Sequence, residues 1–199
     1  MPIPTASADT LLDSWGTNQA KFASLHSAYS ASGANELSGG GYARLSVTWA
    51  SASSNSKALS GTPYNFTVPA STVAFIGFWD AVSSGNFAGM FPAGNAVAYA
   101  FSAPSSTSTL LAPGSGYASN QQVVAFVTGG SSLPSGMSAG VIYFAKSPSG
   151  DSTQLSATTG PGSLLTLSSD GSGIIQAITP EIFAGAGTFT LSSASVSMV

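Results

Sequence analysis

Apolar and polar residues alternate strictly from Tyr42 to Trp49, with Ala43, Leu45, Val47 and Trp49 on one side and Tyr42, Arg44, Ser46 and Thr48 on the other. A period of two is that of a half-buried strand. The same period returns in Tyr64, Phe66 and Val68, interleaved with Asn65 and Thr67. Pro69, which has no N–H to donate, closes it. From Val73 to Trp79 both sides are apolar, which predicts a strand covered on both faces at the centre of a sandwich. Helical spacing is clearest in residues 5–16, where Ala8, Leu11, Leu12 and Trp15 share a stripe. Thr5 is the expected N-cap, Asp9 lies in the first turn, and Gly16 suits a left-handed closing position. Asp9 and Asp13 stand one turn apart, and a solvated face is the expected place for two like charges.

Residues 21–28 read as a first strand and residues 29–41 as a polar loop holding Gly33, Gly39, Gly40 and Gly41. No Lys-Ser/Thr pair and no helix follow those glycines, so a turn or bulge is expected there and not a phosphate cradle. Residues 86–92 continue the sheet, and residues 96–101 add Val97, Tyr99 and Phe101 on alternate positions. Ser102–Thr109, SAPSSTST, has the composition of a linker. Beyond it, short strands separated by Gly/Pro turns predict a small β-barrel or sandwich.

Charge changes the picture. Only 6 % of the 199 residues are Asp, Glu, Lys or Arg, against roughly a quarter in ordinary soluble proteins. Sheets protect their edges with Lys and other charges, and a chain holding only Lys21, Arg44, Lys57 and Lys146 cannot do so. Edges and flat polar faces are therefore expected to be covered by neighbours in an assembly. A net charge of −3 without a basic stripe argues against nucleic-acid binding. With no cysteine, stability has to come from packing and no thiolate metal site exists. The chain shows neither a signal-peptide pattern nor an apolar run long enough to span a membrane.

Titratable groups are few and scattered. His26, the one histidine, lies among apolar and small residues and reads as structural. A hydrolase would need two of Asp80, Asp151, Asp170 and Glu181 in one cleft, and no pair has recognisable spacing. No G-x-S-x-G elbow and no placed acid accompany His26. No catalytic, metal or cofactor-binding residue is predicted, and the chain reads as no enzyme. Glu36 and Arg44 are the charge pair expected to matter, because few other charges could satisfy either; an inward Arg44 would need that carboxylate and a solvated one would not. Tyr42, Tyr64 and Tyr117 are candidate surface-binding residues. Tyr42, Trp49, Tyr64 and Trp79 could also make a sugar-stacking platform, although core packing explains Trp49 and Trp79 better.

The runs Leu25–Ala28 (LHSA), Gly33–Glu36 (GANE), Gly40–Arg44 (GYAR after a glycine) and Val68–Thr72 (VPAST) closely resemble, in this order, a module of bacteriophage minor tail, tail-fibre and head-decoration proteins. Ser71 stands where that module usually has Gly. A second resemblance, also to phage structural proteins, lies in GYASNQQVV (116–124), LPSGMSAG (133–140), VIYFA (141–145) and TQLSAT (153–158), followed by Leu164–Leu167 and a turn at Asp170–Gly173. From Thr179 the chain again resembles the end of the first module. The resemblance thus implies a nested architecture: residues 1–101 with 179–199, and an inserted small β-domain over 102–178. The expected fold is all-β, an antiparallel, jelly-roll-like β-sandwich with one short N-terminal helix and that insertion. It implies a non-enzymatic structural component of a tailed-phage virion, made in the host cytoplasm and carried on tail or capsid. Its expected partners are other virion proteins and copies of itself, with a trimer as the expected symmetry. A host-surface glycan-binding module is the alternative.

Overall fold

The structure is a computed structural model that describes residues 3–94, 96–105, 107–160 and 162–198. The ends of the first module at Met1, Pro2 and Val199, and Ser106 of the expected linker, lie outside the described residues. Helix α1 (Thr5–Asn18) is followed by β1 (Phe22–His26), β2 (Leu45–Ser46), β3 (Thr48–Trp49), β4 (Ser56–Ser60), β5 (Tyr64–Val68), β6 (Ser71–Val73), β7 (Phe75–Trp79) and β8 (Phe87–Pro92). Next come β9 (Ala98–Ala103), β10 (Thr109–Leu111), β11 (Gln122–Phe126), β12 (Ile142–Ser149), β13 (Ser152–Ser156) and β14 (Gly171–Ala177). The chain ends in β15 (Glu181–Phe183), β16 (Gly187–Leu191) and β17 (Ser195–Ser197). The class is all-β, with antiparallel pairing of β1 with β2 and β7, of β5 with β16, of β6 with β15, of β4 with β3 and β17, and among β9 to β14. Two compact units result, Met1–Phe91 with Glu181–Val199, and Pro92–Pro180.

In the first unit the main sheet has the order β2-β1-β7-β8. Strand β7 lies between two neighbours and is buried at every position, as its two apolar sides demand. It pairs with β1 from Phe22↔Trp79 to His26↔Phe75. Strands β5 and β16 form a ribbon in which Phe66, Val68, Phe189 and Leu191 turn inward and Asn65, Thr67, Thr188 and Thr190 outward. That outer face carries no charge. The predicted strand over 42–49 survives only as β2 and β3, broken at Val47, whose N–H donates to Lys21 O. Tyr42–Arg44 is not strand. Gly39, Gly40 and Gly41 all have positive φ (80°, 62° and 82°), a run that other residues rarely adopt, and it turns the Tyr42 and Arg44 side chains inward.

Helix α1 departs from expectation at both ends and on one face. Its N-cap is Pro4, with no side-chain cap, in place of Thr5. Gly16 does not close the helix but lies inside it, where an added Cβ would stand 2.4 Å from Lys57 Cε. Asp9 and Asp13 do not form a solvated face. Asp9 Oδ1 accepts the Asn55 N–H (2.9 Å), and Asp13 Oδ1 accepts the Ala52 N–H (2.8 Å) and Lys57 Nζ (2.5 Å). The two carboxylates thus fasten the β3–β4 hairpin to the helix. Trp15, Trp49, Phe78 and Phe91 complete this packing, with ring centroids 5.1 Å apart for Trp15–Trp49, 5.2 Å for Trp49–Phe78 and 5.5 Å for Phe78–Phe91.

The second unit is a closed barrel of order β10-β13-β12-β11-β14-β9. Closure removes free edges, which a chain without spare charges cannot otherwise protect. Phe101, Leu110, Tyr117, Val123, Tyr143, Leu155, Leu167 and Ile175 fill its interior. Residues 96–101 had been expected in the first module's sheet; β9 instead pairs with β14 from Ala98↔Gln176 to Ala103↔Gly171. Ser102–Thr109 is likewise no linker, because Ser102 pairs with Leu111 and the Ser105 N–H donates to Asp170 Oδ1, both within the second unit. Gly171–Gly173, expected in a turn, opens β14.

Candidate functional site

The most elaborated polar group in the first unit starts on β1. Ser24 and His26 are fully buried on the same side of that strand. Trp79 Nε1, a group that can only donate, reaches Ser24 Oγ at 2.9 Å. Ser24 Oγ lies 2.7 Å from His26 Nε2, and His26 Nδ1 lies 2.9 Å from Ala34 O, which can only accept. The partners therefore assign the protons: Nδ1 carries one, Ser24 donates its own to Nε2, and the ring is neutral. Burial pushes the imidazole pKa below its ordinary value, in the same sense; the Ala34 carbonyl and the Glu36 carboxylate oppose that shift. Opposite on β7 stands Gly77, where an added Cβ would lie 2.4 Å from His26 Nε2 and 2.7 Å from Ser24 Oγ. Only glycine leaves room for this pair.

Arg44 extends the group. Its Nε donates to both Glu36 oxygens (2.9 and 3.1 Å), its Nη2 to Glu36 Oε2 (2.7 Å), and its Nη1 to the carbonyls of Ala81 (3.0 Å) and Ser84 (2.7 Å). The guanidinium lies 3.7 Å above the Trp79 ring, with 9 % of its side chain exposed. Tyr42 donates to Glu36 Oε1 (3.2 Å) and accepts the Leu25 N–H (2.8 Å). Burial pushes the Tyr42 phenol pKa well above the ordinary range. Tyr42, Glu36, Arg44, Trp79, Ser24 and His26 are thus one connected cluster. It pins residues 27–44 and the 81–84 turn to the main sheet.

Residues 15–99 match the family model described as podophage GP4 fiber I protein gp80. Every member of the cluster falls inside that stretch. The similarity supports a virion structural protein of the phage tail-fibre type. No curated protein and no solved structure matches the chain.

The candidate binding residues are not brought together on a surface. Tyr117, expected at the surface, is 6 % exposed. Its ring meets Tyr99 edge-on at 6.2 Å and its hydroxyl donates to Ile175 O (3.1 Å), because the barrel needs a large side chain with one polar tip there. Tyr42 and Tyr64 are half-buried, and the Tyr64 hydroxyl donates to Ser60 O (2.6 Å) while accepting the Thr48 N–H (2.9 Å). Trp79 is buried, and half-buried Trp49 donates to Ala20 O (2.7 Å) within the aromatic stack. An exposed sugar-stacking platform of these four rings is therefore not present.

The acidic side chains serve separate turns. Asp80 accepts the Asn86 side-chain N–H and backbone N–H, both at 2.7 Å, and these bonds hold its carboxyl below the usual range. Asp151 accepts the Gly114 N–H (2.9 Å) and Asp170 that of Ser105 (2.6 Å). Among the described residues no three His, Cys, Asp or Glu side chains gather as a metal site. Sequence reasoning missed Ser24, Gly77 and Lys57. Gly77 had a signal: a lone glycine amid bulky residues of a buried strand marks close approach. Ser24 had only its place two residues from His26 on one side of the strand, since its other partner, Trp79, is remote in sequence, and Lys57 had none, since Asp13 is remote as well.

Proposed function

We propose that this chain is a non-enzymatic structural component of a tailed-phage virion, a minor tail, fibre or decoration element that packs against other virion proteins and copies of itself. The family match over residues 15–99 carries this reading. The cluster inside that match supports it, because its polar side chains bond to one another and to backbone groups of the loops they hold in place. We further propose that the barrel is a module inserted into the first. Thr179 N–H donates to Ala93 O at 2.9 Å, so the chain enters and leaves the barrel unit side by side, the arrangement that tolerates insertion.

Sedimentation of the purified chain tests the assembly. A multiple of the 19.7 kDa chain mass is expected, with a trimer the favoured symmetry. Localisation with an antibody on intact particles tests the rest: labelling of the tail or head supports the reading, and particles lacking the protein refute it.

A further inference from the structure

His26 is the one imidazole of the chain, and it is enclosed completely. Its hydrogen bonds run in one direction, from Trp79 Nε1 to Ser24 Oγ, from Ser24 to His26 Nε2, and from His26 Nδ1 to Ala34 O. We propose that this relay is a proton-sensitive latch: one proton taken up at His26 Nε2 frees residues 27–44 from the main sheet.

A protonated Nε2 can no longer accept from Ser24. Ser24 Oγ then faces two donors, Trp79 and His26, and has to turn its own proton elsewhere. Gly77 is packed closely against both side chains, since a Cβ added there would stand 2.4 Å from His26 Nε2 and 2.7 Å from Ser24 Oγ. Among the described residues the charges acting on the ring are Glu36 and Arg44, and the titratable Tyr42 and Tyr29 lie nearby on Glu36 and on Phe75, all four carried by residues 27–44. Glu36 is already engaged by Arg44 and Tyr42, and Arg44 repels a second cation. From the sheet, β7 presents Phe75 and Gly77, and β8 presents Phe87 at 6.0 Å, none of which titrates. The new charge therefore has to reach water. The covering segment is tied over the ring by the His26–Ala34 bond, by the Leu37 N–H to Leu25 O bond and by the Leu25 N–H to the Tyr42 hydroxyl. Lifting that segment is the route that solvates the ring.

The direction of the pH dependence follows. The opened segment exposes an ordinary imidazole, while the closed one refuses the proton, so closure is complete above pH about 6.5 and weakens by up to about tenfold per pH unit below it. Asp13 and Asp80 stay ionised through this window, because their carboxyls lie below the ordinary range.

Imidazole nitrogen NMR on the full chain, with backbone amide protection factors normalised for intrinsic exchange, tests the latch between pH 7.5 and 4.5. A neutral Nδ1–H ring at pH 7.5, then joint protonation of His26 and loss of protection confined to residues 27–44, is the expected result. Protonation with the segment closed, release with the ring still neutral, or no change down to pH 4.5 each overturns the proposal. In His26→Gln the segment should keep its protection throughout, and acid release in that variant also overturns it. Should His26→Gln fail to fold, the wild-type titration decides alone.

Discussion

Truncating Arg44 to Ala removes a guanidinium that is 9 % exposed and leaves Glu36, at 20 % exposure, with Tyr42 as its remaining side-chain donor. Breaking a buried ion pair from one side costs about 3–5 kcal/mol, and a cation over an indole contributes about 1 kcal/mol. Glu36 retains some solvent contact, so the lower part of that range applies, and the loss of the Trp79 stack and of two carbonyl partners raises it again. We expect about 4 kcal/mol for Arg44→Ala. Arg44→Lys keeps the charge but loses the planar fork, and should cost about half as much. Trp15, Trp49 and Trp79 all lie in the first unit, so tryptophan fluorescence during urea unfolding reads that unit by itself. A shift in midpoint with an unchanged slope gives the difference directly. A loss below about 1 kcal/mol for Arg44→Ala would show that the cluster does not hold the loops, and the reasoning would fail.

The same assay applies to Gly77→Ala, which drives a methyl toward His26 and Ser24 and should cost about 3 kcal/mol, whereas Gly185→Ala, with open space around it, should stay within about 0.5 kcal/mol. Asp13→Ala should destabilise more than Lys57→Met, since the first strands a cation that is 4 % exposed and the second leaves a carboxylate that is 47 % exposed; the reverse order would refute the docking role of Asp13. Asp80 has a lowered native pKa, so its contribution is present above the unfolded value of about 3.9 and lost as pH falls through the native one. Asp80→Asn should accordingly flatten the decline of stability below about pH 4, read by acid unfolding. In the barrel, which holds no tryptophan, Tyr117→Phe should cost about 1 kcal/mol by calorimetry, through loss of the bond to Ile175 O.

Elements whose burial is decided by their own residues were legible in the sequence. Strand β5 alternates as Tyr64, Phe66 and Val68 demand, and β7 is covered on both sides because it has no polar side. The all-β class followed from such runs. The failures share a cause: a polar side chain whose partner is distant. Asp13 looked like a solvated helix residue because Lys57 stands 44 positions later. Tyr42 mimicked the polar side of a strand while its hydroxyl reaches Glu36 and the Leu25 N–H, whereas the Glu36–Arg44 pair was legible because few other charges could satisfy either. In the barrel, the Ser/Thr/Pro composition of 102–109 concealed a connection between paired strands, since composition reports turn propensity and not which strands the turn joins.

The few cations of this chain are occupied inside it. Arg44 is closed around Glu36 and two carbonyls, Lys57 lies under the helix against Asp13 and Ala50 O, and Lys146 is bound by Asn120 Oδ1, Thr159 O and Gly160 O. Lys21 alone of the four is exposed. Positive charge therefore contributes almost nothing to repulsion between copies, and outward faces such as Asn65, Thr67, Thr188 and Thr190 present hydroxyls and an amide instead. Such faces are wetted well enough to dissolve and are desolvated at lower cost than charged ones. The same commitment of charge that fixes the loops leaves a surface suited to contact with neighbours, which is the physical reason to look for this chain within a particle before looking for it alone.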